Sequence, residues 1–327
     1  EGRLSNTYVL GLNNTSSKLL LSSSITVDRV STSANNSGLD VDDNSTVSSL
    51  TVAHTTPVSI ASGKRLSGAI TLTAGSVKLG ETGTLGSTVS MSGGTLDADN
   101  SSTVSGALSQ SGNITIDVAS GKTLTYSGDE ISLGAYTLTM SGGGAFSNTN
   151  DLDLNNASSK LLLNSITVGS VSTSLASLGL DVDDNSTVSS LTVGHITPVS
   201  IASGKTLSGA ITVTGGSIKL GEAGTLGSSV SMSGGTLDAD ESLTVSGALT
   251  QAGAITIDVA SGKTLTYTGA ALSLGAYTLT MSGGGTLSNT NDLSLNNASS
   301  KLLLNSITVG SVSTSSNSLG LDVDDDS

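Results

Sequence analysis

The densest group of candidate metal ligands occurs more than once. Asp40, Asp42, Asp43 and Asn44 stand together. Asp181, Asp183, Asp184 and Asn185 repeat them, and Asp322, Asp324, Asp325 and Asp326 begin a further copy. Calcium takes about six to eight hard oxygen ligands, and carboxylates where a strand meets a turn can supply several. Asp40, Asp42, Asp43, Asp181, Asp183 and Asp184 are therefore candidate calcium ligands, and no other cofactor is expected. The spacing lacks the glycine and the bidentate glutamate of an EF-hand loop. It also lacks the tandem glycine-aspartate pattern of calcium β-rolls. The competing reading is a solvated acidic turn.

The second chemistry is that of hydroxyls. Thr71 and Thr73, Ser90 and Ser92, Thr125, Thr139, Thr212 and Thr214, and Thr266 and Thr268 each sit in a short alternating run. Such residues point away from a core that their neighbours enter. Stacked as a ladder they would offer a face for ice or glycan, and a flat Thr-x-Thr ladder is similar to the ice-binding face of solenoid antifreeze proteins. The competing reading is ordinary outward-facing strand preference.

Catalysis finds little support. His54 and His195 each precede Pro57 or Pro198 by three positions, and no second histidine lies near either. They suit turn packing, with the proline at a corner where no ladder N–H is needed. A serine nucleophile cannot be singled out without a partner base. Gly142-Gly143-Gly144 follows a strand but opens no helix, so it is no phosphate loop. Arg3, Arg29 and Arg65 have no arginine counterparts in the next copy, and acids without nearby bases argue against a polysaccharide-active enzyme. The expectation is a protein that is not an enzyme.

The elements that position these residues follow from repetition. Leu39 to Val52 returns letter for letter at Leu180 to Val193, and Leu39 to Asp43 returns again at Leu321 to Asp325. The two offsets, 180 − 39 and 321 − 180, are both 141. A fixed long period marks an array. A shorter step lies inside it. Leu39-Asp40-Val41, Val58-Ser59-Ile60, Val77-Lys78-Leu79 and Leu96-Asp97-Ala98 start at 39, 58, 77 and 96, an even stride of 19. Ile114-Thr115-Ile116, Ile131-Ser132-Leu133 and Leu152-Asp153-Leu154 extend the series, and a longer step, 180 − 152, then reaches Leu180. A second series runs through Leu50, Ile70, Val89, Leu108, Leu124 and Leu138. Flanking apolar residues would point inward and the middle residue outward.

The fold expected is all-β: a parallel β-solenoid with rungs of about 19 residues, seven to each 141-residue repeat. One continuous solenoid would span 1–327, with a partial repeat at 1–38, full repeats at 39–179 and 180–320, and a new start at 321–327. The register puts Lys78 one rung before Asp97, and Lys219 before Asp238, as ion pairs between rungs. It also brings the like charges Asp97 and Asp117 close. Antiparallel sandwiches are the weaker alternative, because they pin their cores with aromatics, and aromatics are only 2% here.

Bulk properties narrow the partners. The net charge of −14 argues against nucleic acid and anionic membrane surfaces. No apolar run is long enough to insert in a membrane. There is no cysteine, which excludes disulfides, and rigidity would come from stacking. A start at Glu1 without Met suits a processed protein or an excised piece. The absence of a visible cap suits a longer array, or self-association end to end or side by side. Sequons such as Asn44-Ser45-Thr46 matter only in a host that glycosylates them.

The phrases Ala119-Ser120-Gly121-Lys122-Thr123-Leu124-Thr125-Tyr126 and Met91-Ser92-Gly93-Gly94-Thr95-Leu96-Asp97-Ala98-Asp99 resemble those of large bacterial surface proteins. These are autotransporter passengers, filamentous haemagglutinin-like adhesins and giant repetitive cell-surface proteins. The resemblance covers the whole chain in style and carries over no site residue. It implies secretion, an extracellular or cell-surface location, a right-handed β-helix, and a structural role as a fibre, stalk or adhesin segment. A host or neighbour-cell glycan or protein would be the partner. The alternative is a ligand-binding solenoid that uses the Thr/Ser face or the acidic turns.

Overall fold

The computed structural model describes residues 2–327 except 55, 87, 196, 222, 228, 315 and 316. Glu1, on which the reading of the chain start rests, lies outside the described residues. Every regular element among the described residues is a β-strand, and no helix is long and apolar enough to cross a membrane. The strands stack in parallel as a β-solenoid of about 16 turns. The chain divides into two compact units, Glu1–Asp153 with Ser158–Ser170, and Leu154–Ala157 with Val171–Ser327.

In the first unit each full coil carries three strand faces. The first face stacks Lys18–Leu21, Gly38–Val41, Pro57–Ile60, Ser76–Leu79, Thr95–Ala98, Ile114–Val118, Thr137–Ser141 and Lys160–Asn164. Its central inward column runs Leu39, Val58, Val77, Leu96, Ile116, Met140, Leu163. Each of these is at most 1% exposed. Aliphatic side chains and one methionine at one register position fill this column without aromatics, because each coil meets only the coils above and below.

The second and third faces begin as two halves of one long strand. Ser45–Val52 and Arg65–Leu72 each cover both. In later coils the strand breaks. Thr84–Leu85, Ser102–Val104, Thr123–Tyr126 and Ala145–Asn148 then form the second face. Val89–Met91 and Leu108–Gln110 pair on the third face, as do Ile131 and Ser132 with Leu152 and Asp153.

A register shift between Thr46 and Ser49 marks the junction of the two faces. Gly68 sits opposite it with φ at +113°, and its counterpart Gly209 has φ at +116°. A Cβ on Gly68 would lie 1.6 Å from the Val47 carbonyl oxygen. Only glycine permits that backbone and that approach.

The second unit repeats this plan. Gly179–Val182 opens its first face, and the inward column runs Leu180, Val199, Ile218, Leu237, Ile257, Met281 and Leu304, with the exposed Val323 in register after it. Seven strands of this face precede Gly320–Val323, so there are seven coils to the repeat, as expected. The stride is not uniform. It is even from Leu180 to Leu237, lengthens through Ile257, Met281 and Leu304, and shortens again to Val323. The column therefore arrives at Val323, not at Leu321, the sequence equivalent of Leu180. Stacking in this unit slips by one pleat against the sequence period.

Several expected rungs are corrected. Leu96 pairs with Ile116, so the next triplet of the series is Ile116-Asp117-Val118 and not Ile114-Thr115-Ile116. Ile131 and Leu152 belong to the third face. Leu124 belongs to the second and Leu138 to the first. The long step from Leu152 to Leu180 vanishes, because Lys160–Asn164 supplies a rung there. A fixed stride drifts onto the wrong face once turn lengths change. Lys160-Leu161-Leu162-Leu163 also hides its alternation, since Leu162 is the outward residue.

Candidate functional site

The acidic turns are built as braces between coils. Asp40 lies on the strand Gly38–Val41, where its middle position faces outward. Its Oδ2 is 2.6 Å from Lys18 Nζ one coil earlier. Asp43 sits beyond the strand end and meets Lys64 Nζ at 3.0 Å, and its Oδ1 accepts the Asn44 backbone N–H at 2.9 Å. The hydrogen bond from Lys64, then that backbone N–H, holds the Asp43 carboxyl below the ordinary carboxylate range. Asp184 repeats this with Lys205 at 2.8 Å and Asn185, and its carboxyl is lowered for the same reasons.

Asp42 and Asp183 are exposed, and Asp181 is half-buried on its strand. The charges of Asp40 and Asp42, two positions apart, both act on Lys18, whereas Asp43, past the strand end, meets Lys64. Among the described residues no group of three or more His, Asp or Glu side chains is arranged to hold a metal ion. What these turns bind in the structure is lysine.

The same device recurs along the first face. Lys78 pairs in register with Asp97, as expected, and reaches Asp97 at 2.9 Å and Asp99 at 3.2 Å. Lys219 reaches Asp238 at 3.8 Å and also Asp240. Lys301 meets Asp322 at 2.7 Å, and Lys263 meets Glu241, where the first repeat has Asn100. Each pair is partly exposed, so screening keeps its individual contribution small. The like charges Asp97 and Asp117 do stack directly, and Ser141 Oγ donates to Asp117 Oδ1 from the next coil. Asp238 and Asp258 stack likewise, and Ser282 donates to Asp258. Burial, followed by the Asp240 charge, pushes the Asp238 carboxyl above its ordinary value.

The outward hydroxyls are divided among faces. Thr71 pairs with Ser90, and Thr212 with Ser231, on the third face. Thr73, Ser92 and Thr214 follow these strands as exposed residues. Thr125 pairs with Thr103 and Ser147 on the second face, and Thr266 with Thr244 and Ser288. Thr139 pairs with Thr115 on the first face. Thr268 is exposed beyond the strand Thr264–Tyr267. The sequence has no marker for the corner between faces, so what reads as one ladder is three.

His54 and His195 do not pack their rings, which are exposed. Their contribution is backbone: φ is 57° and 53°, the left-handed region that turns the chain. The packing falls to the next described residues, Thr56 and Thr197, which are fully buried. Asn36 Nδ2 donates to Thr56 Oγ1 at 2.7 Å, and Thr197 Oγ1 donates to the Leu175 carbonyl at 3.3 Å. Pro57 and Pro198 open their strands at the corner, as expected.

Sequence reasoning missed two inner features. Tyr126 is buried, stacks on Phe146 with ring centroids 5.9 Å apart, and accepts the Leu108 N–H at 3.0 Å. Burial pushes its hydroxyl pKa up. Gln110 turns its amide inward and donates to the carbonyls of Gly112 at 3.0 Å and Thr137 at 2.8 Å, a strap between faces. Tyr267 accepts the Leu249 N–H, and Gln251 makes the same two donations. The available signal was the return of these rare residues at equivalent places in the second copy. Comparison of the chain with protein-family models, with characterised proteins and with solved structures found no match.

Proposed function

We propose that this chain is a structural segment of a secreted or surface-displayed β-solenoid fibre or stalk, used in adhesion or filament assembly. The observation that supports the reading is what the two repeats keep. They keep the inward columns, the glycine opposite the bulge, the tyrosine and glutamine straps, and the lysine braces at equivalent positions. Repetition of the scaffold serves length and resistance, since each coil is stabilised by its neighbours.

Single-molecule pulling tests this. A released coil of about 20 residues extends to roughly 70 Å. A load-bearing solenoid gives force peaks separated by multiples of that length. A single low-force collapse of the whole chain would count against a mechanical role. Antibody labelling of intact parent cells tests display, and sedimentation tests self-association end to end or side by side.

A further inference from the structure

We propose that the first unit binds an extended, neutral, β-1,4-linked glycan in a groove on its second face. Thr82, Ser101, Ser102, Thr103, Thr123 and Thr125 line a groove of about 200 Å³ across three successive coils. Thr103 pairs in register with Thr125. The Ser101 carbonyl accepts the Thr82 N–H at 2.6 Å, and Ser101 Oγ accepts the Thr123 N–H at 3.2 Å. Two parallel lines of hydroxyl residues result, Thr82–Ser101–Thr123 and Thr103–Thr125.

The hydroxyls of Thr82, Thr103, Thr123 and Thr125 make no hydrogen bond within the described protein. Thr73, Ser105 and Ser111, by contrast, donate to the carbonyls of Val52, Leu85 and Met91. A free hydroxyl both donates and accepts. An array of them matches sugar hydroxyls and has no preference for charge. The net charge of −14 disfavours acidic glycans.

Spacing selects the linkage. Coils repeat about every 4.8 Å, and an extended β-1,4 glycan advances by nearly that distance per sugar, so successive sugars meet successive coils. An α-1,4 glycan winds and loses the match. The groove also holds a strained residue. Thr82 has φ 55°, a region that β-branched residues avoid. The second repeat has Ala223 where the first has Thr82, so the full outward hydroxyl set belongs to the first unit, while the other change, Ser102 to Leu243, is on the inward side.

The test is a titration of the full chain with cellohexaose, followed by threonine-methyl NMR, with maltohexaose as the comparison. The expected result is shifts at Thr82, Thr103, Thr123 and Thr125 with cellohexaose and smaller ones at Thr244 and Thr266. The double variant Thr103→Val, Thr125→Val keeps the shape and is expected to weaken binding at least about tenfold. No shifts up to the solubility limit, equal shifts with maltohexaose, or unchanged binding by the variant would each overturn the proposal. The stalk reading is scored separately by pulling, so one can fail without the other.

Discussion

Replacing Ser102 by leucine should stabilise the first unit, and the second repeat shows why. Ser102 is 4% exposed, faces inward, and its Oγ is buried without a hydrogen-bond partner. It stacks on Leu124. The equivalent residue is Leu243, also 4% exposed, stacked on Leu265. An unsatisfied buried hydroxyl is unfavourable by about 1–3 kcal/mol. Full burial of a leucine side chain contributes about 1.5–3 kcal/mol. Against these stands the strain of inserting bulk into a packed column, about 1–3 kcal/mol. The net expectation is a gain of about 1–3 kcal/mol.

The large neighbour Phe146 flanks Leu124 on the other side. It lies two coils from Ser102, about 9.6 Å, far enough for near-additivity. Urea unfolding with hydrogen-exchange mass spectrometry can place the gain in the coils around residues 85–126. Ser102→Ala separates the two terms, since it removes the hydroxyl and adds no bulk. If Ser102→Leu lowers stability while Ser102→Ala raises it, space is the limit and the copy-to-copy argument fails. If both lower it, the hydroxyl is satisfied in solution and the reasoning is refuted at its base.

Other outcomes follow from the same comparison of copies. Phe146→Leu removes the Tyr126–Phe146 stack and should cost about 1–2 kcal/mol. The reverse change, Leu287→Phe, fills the small apolar cavity of about 10 Å³ beside Tyr267 and should gain under about 1 kcal/mol, both read by urea midpoint. Gly68→Ala forces a Cβ onto the Val47 carbonyl and should cost at least about 2 kcal/mol, checked by thermal melting. Asp238→Asn should raise the urea midpoint slightly at pH 7, by up to about 1 kcal/mol after screening by water. It removes a carboxylate whose charged form is disfavoured by burial, while Lys219 keeps Asp240. Asp43 and Asp184 have lowered carboxyl pKa values when folded. Their contribution is present above the unfolded value of about 3.9 and is lost as pH falls through the folded value. Urea midpoints should drop in that acidic window, and Lys64→Ala with Lys205→Ala should flatten the drop.

The class of fold and much of the surface chemistry were legible in the linear chain. The 141-residue repeat, the even stride from Leu39 to Leu96, and apolar-polar alternation were enough for a parallel solenoid with seven coils to the repeat. They also placed Lys78 against Asp97, because side chains of equal register in stacked parallel strands are neighbours. Where each coil turns was not legible. Turn length is set by backbone geometry at residues such as Gly68 and His54, and a stride counted along the chain cannot see it. That is why Leu138 and Ile131 exchanged faces, why Thr125 and Thr139 left the ladder of Thr71, and why stacking in the second unit slips from Leu321 to Val323. The acidic turns show the same limit. Asp40 and Asp43 are close in sequence, yet one lies on the strand and the other in the turn beyond it, so they meet different lysines, and folding alone brings those lysines, one coil away, within reach.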